Sequence, residues 1–227
     1  MNNIFGKIMR VLAIIFMGIT AAMNILGGTG TVCAAFLTEN FPSMSAILGH
    51  EWIYQILMVL TVGLGLGGVW ATVLLIRSKE QAYRNALLLL AAGALLGGIH
   101  YYASLTLRGK AVPANMKFYV NVFTLLIFLL LRLPGIRNRV NFTKADGTGE
   151  IAGGLTAVIT GLLVLTTAQW VGASHMAGGL NWVLVLHEPL IGMGTALLIL
   201  GLGRLGMFAA SRKRTTSILA NTGPAPQ

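Results

Sequence analysis

The chain has 227 residues, of which 56% are hydrophobic and only 10% charged, with a mean hydropathy of +0.78. A soluble domain carries about a quarter charged residues, so this composition excludes an ordinary soluble fold. The formal charge of +10 does not imply a nucleic-acid partner, because Lys and Arg punctuate apolar segments instead of clustering on one face. The single cysteine, Cys33, excludes an internal disulfide and any CxxC redox or zinc pair.

Lys7 and Arg10 precede an apolar run that continues to about Leu26. That run exceeds the roughly 7–15 residues of a cleaved signal-peptide core and reads as an uncleaved first span. Gly27-Gly28-Thr29-Gly30-Thr31 is expected to end this helix, since glycine lowers helical preference. Val32–Phe41 is apolar enough to lie in the membrane interface or dip back as a re-entrant turn, before Pro42 breaks it.

A membrane-crossing helix takes roughly 20 apolar residues. The segments that qualify are Met9–Leu26, Trp52–Ile76, Ala86–Leu107, Phe118–Leu133, Ile151–Val171 and Val183–Phe208, the fourth being short enough that it must recruit residues upstream. The predicted fold is an all-α bundle of six transmembrane helices over residues 1–210. Pro134–Glu150 reads as a connecting loop, and 211–227 as a basic, disordered tail. Gly63-x-x-x-Gly67 and Gly93-x-x-x-Gly97 place small residues on one helix face, which favours close helix contact.

With the N-terminus inside, thirteen of the 16 Lys and Arg residues fall on the N-terminal side of the membrane, leaving Arg108, Lys110 and Lys117 on the other. The positive-inside rule then predicts both termini in the cytoplasm of a bacterial-type cytoplasmic membrane. The inner basic residues face anionic lipid, so the partners implied are the bilayer and other membrane subunits.

Chemistry-bearing residues concentrate in the outer half: His50, His100, His175, His187, Cys33, Glu39, Glu51 and Glu188. His50-Glu51 and His187-Glu188 each open a span. His100 lies roughly 10 Å and His187 roughly 6 Å inside the outer end of its helix by helical rise, and ionisable groups at depth are functional candidates.

Three readings compete. In the first, His100 and His187 are axial ligands of a b-type haem, with space from Gly97, Gly98, Gly192 and Gly194, and Arg108 or Glu188 holding a propionate or orienting an imidazole. In the second, His50, His100 and His187 gather a divalent metal with the glutamates, although adjacent His-Glu residues point about 100° apart on a helix. In the third, Glu51 and Glu188 are helix-start acids, Trp170 and Trp182 belong to an interfacial belt, and His175 is a solvated loop residue. The outer cations are expected to pair with the outer acids, or with an anionic substrate, a lipid head group or a haem propionate. A Cys33–His50 catalytic pair is the weaker alternative to a simply buried thiol.

No motif assigns a reaction. The sequence points to a membrane redox or cofactor-binding subunit built on His100 and His187. The alternatives are a non-catalytic accessory subunit of a membrane complex and a small-solute transporter.

Overall fold

The computed structural model describes residues 4–221, without the side chains of residues 43, 173, 174, 177 and 214–221. The described chain is all-helical apart from a two-residue antiparallel hairpin. Its elements are α1 (Ile4–Gly30), α2 (Val32–Phe36), α3 (Glu51–Ile76), α4 (Ala82–Arg108), α5 (Ala114–Leu130), α6 (Pro134–Arg137), α7 (Thr148–Leu165), α8 (Thr167–Val171), the strands β1 (Met176–Ala177) and β2 (Leu180–Asn181), and α9 (His187–Asn221).

Among the described residues five helical stretches are long and apolar enough to cross a membrane: Ile4–Phe36, α3, α4, α7 and Trp182–Lys213. The exception is α5, whose 17 residues lie between Pro113 and Pro134. At about 1.5 Å per residue it spans roughly 25 Å, less than the roughly 30 Å of a bilayer core. Proline disfavours helical continuation on both sides, which sets this length. As the short Phe118–Leu133 segment required, the helix begins upstream, at Ala114.

α1 is the centre of the bundle, packing on α3, α5 and α7. Of its most apolar window 61% is buried, against 17% for the stretch containing α9. Small residues allow this closeness: a Cβ at Gly68 of α3 would lie 2.8 Å from Ala21 Cβ, and one at Gly65 would lie 2.8 Å from Ile25 N. α4 packs on α3 and α5, while α9 packs on α7.

The α7–α9 seam is a reciprocal glycine contact. A Cβ at Gly161 would come within 2.8 Å of Gly194 O, and one at Gly201 within 2.7 Å of Gly154 O. The two pairs are one heptad apart on each helix, a spacing that keeps them on a single face.

Three segments depart from the sequence reading. Helix α1 does not stop at Gly27 but continues through Gly30, because tertiary packing overrides the propensity of its glycines. The following loop is a folded cap: Cys33, Ala34, Ala35, Phe41, Met44, Ile47 and Tyr54 form one buried cluster, with Trp182 tilted against Phe41 at 5.8 Å. The tail expected to be disordered from Ser211 is helical as far as Asn221, and residues 222–227 lie outside the described ones.

The opposite end is tied by Arg10. Its guanidinium donates to Lys144 O at 2.5 Å, to Ser78 Oγ at 2.7 Å and to Asp146 Oδ1 at 3.3 Å, joining α1 to the α3–α4 turn and the α6–α7 loop. Ser78 reaches this position with a left-handed backbone, φ 56°. Asp146 also accepts from the Thr148 backbone N–H at 3.2 Å and from the Thr148 hydroxyl at the start of α7. The Asp146 carboxylate therefore holds a helix start and a buried Arg together. Glu150 pairs with Arg204 at 2.7 Å, but both are half-exposed and the pair contributes little.

Burial alone would raise the Asp146 carboxyl. The Thr148 hydrogen bonds and the cations Arg10 and Lys7 outweigh it and hold the group below its ordinary value. A carboxyl depressed in the folded state stabilises above its unfolded pKa and loses that contribution as pH falls through the folded one. Asp146→Asn is therefore expected to lower thermal stability in detergent at neutral pH, with the deficit shrinking below about pH 4. A deficit unchanged at about pH 2.5 would contradict this assignment.

Candidate functional site

The last turn of a helix leaves carbonyls without intrahelical partners and carries partial negative charge. In α1 this turn is surrounded by protein. Gly27 O accepts from Thr31 Oγ1 at 2.7 Å and lies 3.5 Å from Lys117 Nζ, while Gly30 O faces His175 Nε2 at 3.2 Å. The glycines make room for these groups: a Cβ at Gly27 would lie 2.3 Å from Lys117 Cδ.

Lys117, in the first turns of α5, is almost wholly buried, at 3% exposure. Its Nζ lies 3.0 Å from Nδ1 of His100, itself 4% exposed on α4. The Tyr54 ring of α3 meets the imidazole edge-on, with centroids 5.6 Å apart, and its hydroxyl lies 3.4 Å from Ser104 Oγ.

From Lys117 a polar seam runs down the α1–α5 interface. Asn121 Nδ2 donates to Lys117 O and to Asn24 Oδ1, both at 2.8 Å, and Asn24 Nδ2 donates back to Asn121 Oδ1 at 3.2 Å. Thr20 and Thr124 share a hydroxyl hydrogen bond of 2.7 Å. Positions 117, 121 and 124 of α5 face 27, 24 and 20 of α1, the i, i+4, i+7 spacing of one helix face on each side. Gly93 and Gly97 of α4 open the third wall: a Cβ at Gly93 would strike Asn121 Oδ1, and one at Gly97 would lie 3.0 Å from Phe118 Cα. The space bounded by Asn24, Thr61, Gly93, Gly97 and Lys117 has no room for a water molecule.

Comparison with protein-family models, curated proteins and solved structures finds no match.

The residues singled out by sequence are dispersed. His50 is exposed beside the start of α3, and His187 and Glu188 are exposed at the start of α9. His100 lies on the helix that packs against α3 and α5, whereas His187 lies on the one that packs against α7, so the structure does not bring the two together. Among the described residues no group of three or more His, Cys, Asp or Glu is placed to hold a metal, so His50, His100 and His187 are not gathered either. The room that Gly97 was to leave is taken by Phe118, whose Cα lies 3.0 Å from a Cβ built there, and the Phe118 ring is in van der Waals contact, at 3.4 Å, with one built at Gly98.

Arg108 is half-buried at the end of α4, where a cation suits the helix dipole, and its Nε is buried without a hydrogen-bond partner. The expected pairing of Arg108, Lys110 and Lys117 with Glu39, Glu51 and Glu188 does not form. Ion pairs form elsewhere instead, among them Lys7–Asp146, Arg10–Asp146 and Arg204–Glu150. His175 is not solvated but buried at 4% exposure, its Nδ1 also 3.2 Å from Val171 O. Cys33 is buried in the cap while His50 is exposed.

Sequence reading missed Lys117, Asn121 and Asn24 as site residues. Their signal was present as Lys-x3-Asn-x2-Thr in α5 and Thr-x3-Asn-x2-Gly in α1, polar positions at helical period inside apolar runs. Asn121→Ala leaves Asn24 and the Lys117 carbonyl short of a partner and is expected to cost about 1–3 kcal/mol in reversible micellar unfolding. In a double-mutant cycle with Asn24→Ala the two losses should fall short of additivity by roughly 0.6 kcal/mol or more. Additivity within about 0.3 kcal/mol would mean that the two side chains do not interact.

Proposed function

We propose that this chain is a six-span protein of a bacterial-type cytoplasmic membrane, with both termini cytoplasmic, acting as a non-catalytic subunit that docks another membrane protein through α9. The distribution of Lys and Arg supports this orientation. The Arg10 contacts support it too, since they gather the start of α1, the α3–α4 turn and the α6–α7 loop at one end. α5 serves as the sixth span, completed by the apolar residues that flank it.

The observation that carries the docking role is the second face of α9. Gly194 and Gly201 face α7, and Gly192, Gly203 and Gly206 point the other way, where a Cβ at any of them would meet nothing within 4 Å. Ala196 and Ile199 share this outward face and are not buried. Glycine costs a helix about 1 kcal/mol per position relative to alanine, and here no packing among the described residues uses it. Close approach of another transmembrane helix is what such a face provides. The redox reading rests on His100 and His187 and gains nothing from a geometry that puts them on separate helix interfaces.

Gly192→Leu and Gly203→Leu fill open space, so the isolated chain should keep its thermal stability or gain slightly. In native membranes solubilised in mild detergent, the wild type should run as part of a larger assembly and the variants as a single chain, read by native mass spectrometry. An identical particle mass for wild type and variants would overturn the proposal. Gly201→Leu, on the α7 side, should instead destabilise the chain itself.

A further inference from the structure

We infer that His100 and Lys117 form a single proton-binding site, holding one exchangeable proton between them in the outer half of the bundle. The contact is between two bases. Nδ1 of His100 and Nζ of Lys117 are 3.0 Å apart, and a hydrogen bond at that distance takes one donor and one acceptor. Either the ammonium donates to a bare Nδ1, or an Nδ1–H donates to a neutral amine. Passing from the first state to the second breaks one N–H bond at Nζ and makes one at Nδ1, while the ring goes from its Nε2–H tautomer to imidazolium. Both states carry one positive charge, and release of the shared proton leaves two neutral bases. Protonating both would place two like charges 3.0 Å apart away from water.

The surroundings favour one positive charge and disfavour a second. From α1 the site faces the Gly27 carbonyl and, beyond it, Asn24; from α3, the edge of the Tyr54 ring; from α4, Arg108, within electrostatic reach of His100. No carboxylate pairs with either base among the described residues. The negative end of α1 thus does the work that an acid would do in an ordinary buried ion pair. A helix contact made only for packing has no use for a base pair. An Asn–Asn bond of the kind formed one turn below, between Asn24 and Asn121, achieves the same closure without a titrating group.

Full-length protein in lipid nanodiscs, titrated between about pH 5 and about pH 11, tests this against the His100→Gln/Lys117→Gln double variant. The wild type should bind one more proton than the variant across that range. A difference of two would mean that the groups titrate independently, and a difference of zero that neither exchanges; each overturns the inference. Should the double variant fail to fold, the ring nitrogens of His100 in the unmutated sequence decide, with the other histidines assigned through His50→Gln, His175→Gln and His187→Gln. The ¹⁵N shifts of these nitrogens and of Lys117 Nζ should show at most one of the two bases charged at any pH in the range. An imidazolium coexisting with the Lys117 ammonium at about pH 5 would sink the proposal.

Discussion

A lysine placed inside a helical bundle without a carboxylate has to find its compensating charge elsewhere, and here it finds it at the end of a helix. The carbonyl of Gly27 belongs to the last turn of α1, and Lys117 reaches it across the α1–α5 interface while contacting His100 on α4. Three helices are thereby fixed at one point. The Asn24–Asn121 and Thr20–Thr124 contacts carry the same register down the interface. Small residues make the arrangement geometrically available: Gly27 clears the path of the lysine stem, Gly93 admits Asn121 and Gly97 admits the α5 backbone. Between apolar helices in lipid there is little hydrophobic drive to associate, so close packing and interhelical hydrogen bonds select the partners.

The two ends of the bundle are closed by different means. At one end Arg10 gathers a positive-φ serine, a loop carbonyl and Asp146, an arrangement of the kind that orders connecting segments. At the other, the segment after α1 folds into an apolar cap around Phe41, Ile47 and Tyr54, and His175 joins the α8–β1 segment to the last carbonyl of α1. α9 stands apart, attached along one glycine-rich seam to α7, with a second glycine-bearing face that the described residues leave uncovered.

Much of the fold was legible in the sequence, because long apolar runs punctuated by Lys and Arg leave few alternatives to membrane-length helices. What was not legible followed from local rules losing to tertiary packing. Gly27, Gly28 and Gly30 read as a helix stop, yet they are helical because Lys117, Val62 and His175 occupy the space beside them. Lys117 read as a loop cation because it precedes the apolar run of α5 by one residue, and only the partner helix shows that it points inward. His100 was legible as an anomaly, since an imidazole that deep in a span calls for a partner. His187 matches it in depth, and depth does not say which helices touch. The hold of Asp146 on Arg10 has no local signal, because the two residues lie 136 positions apart in the sequence.

Lys117 points into the bundle and is held by the end of α1. Solid-state NMR in lipid bilayers, with ¹⁵N on lysine and ¹³C on glycine carbonyls, measures this directly. The expected result is a dipolar contact between Lys117 Nζ and the carbonyl carbon of Gly27, whose oxygen lies 3.5 Å from Nζ, with slow exchange of the Nζ protons with water. An Nζ that lacks this contact and exchanges freely with bulk water would contradict it.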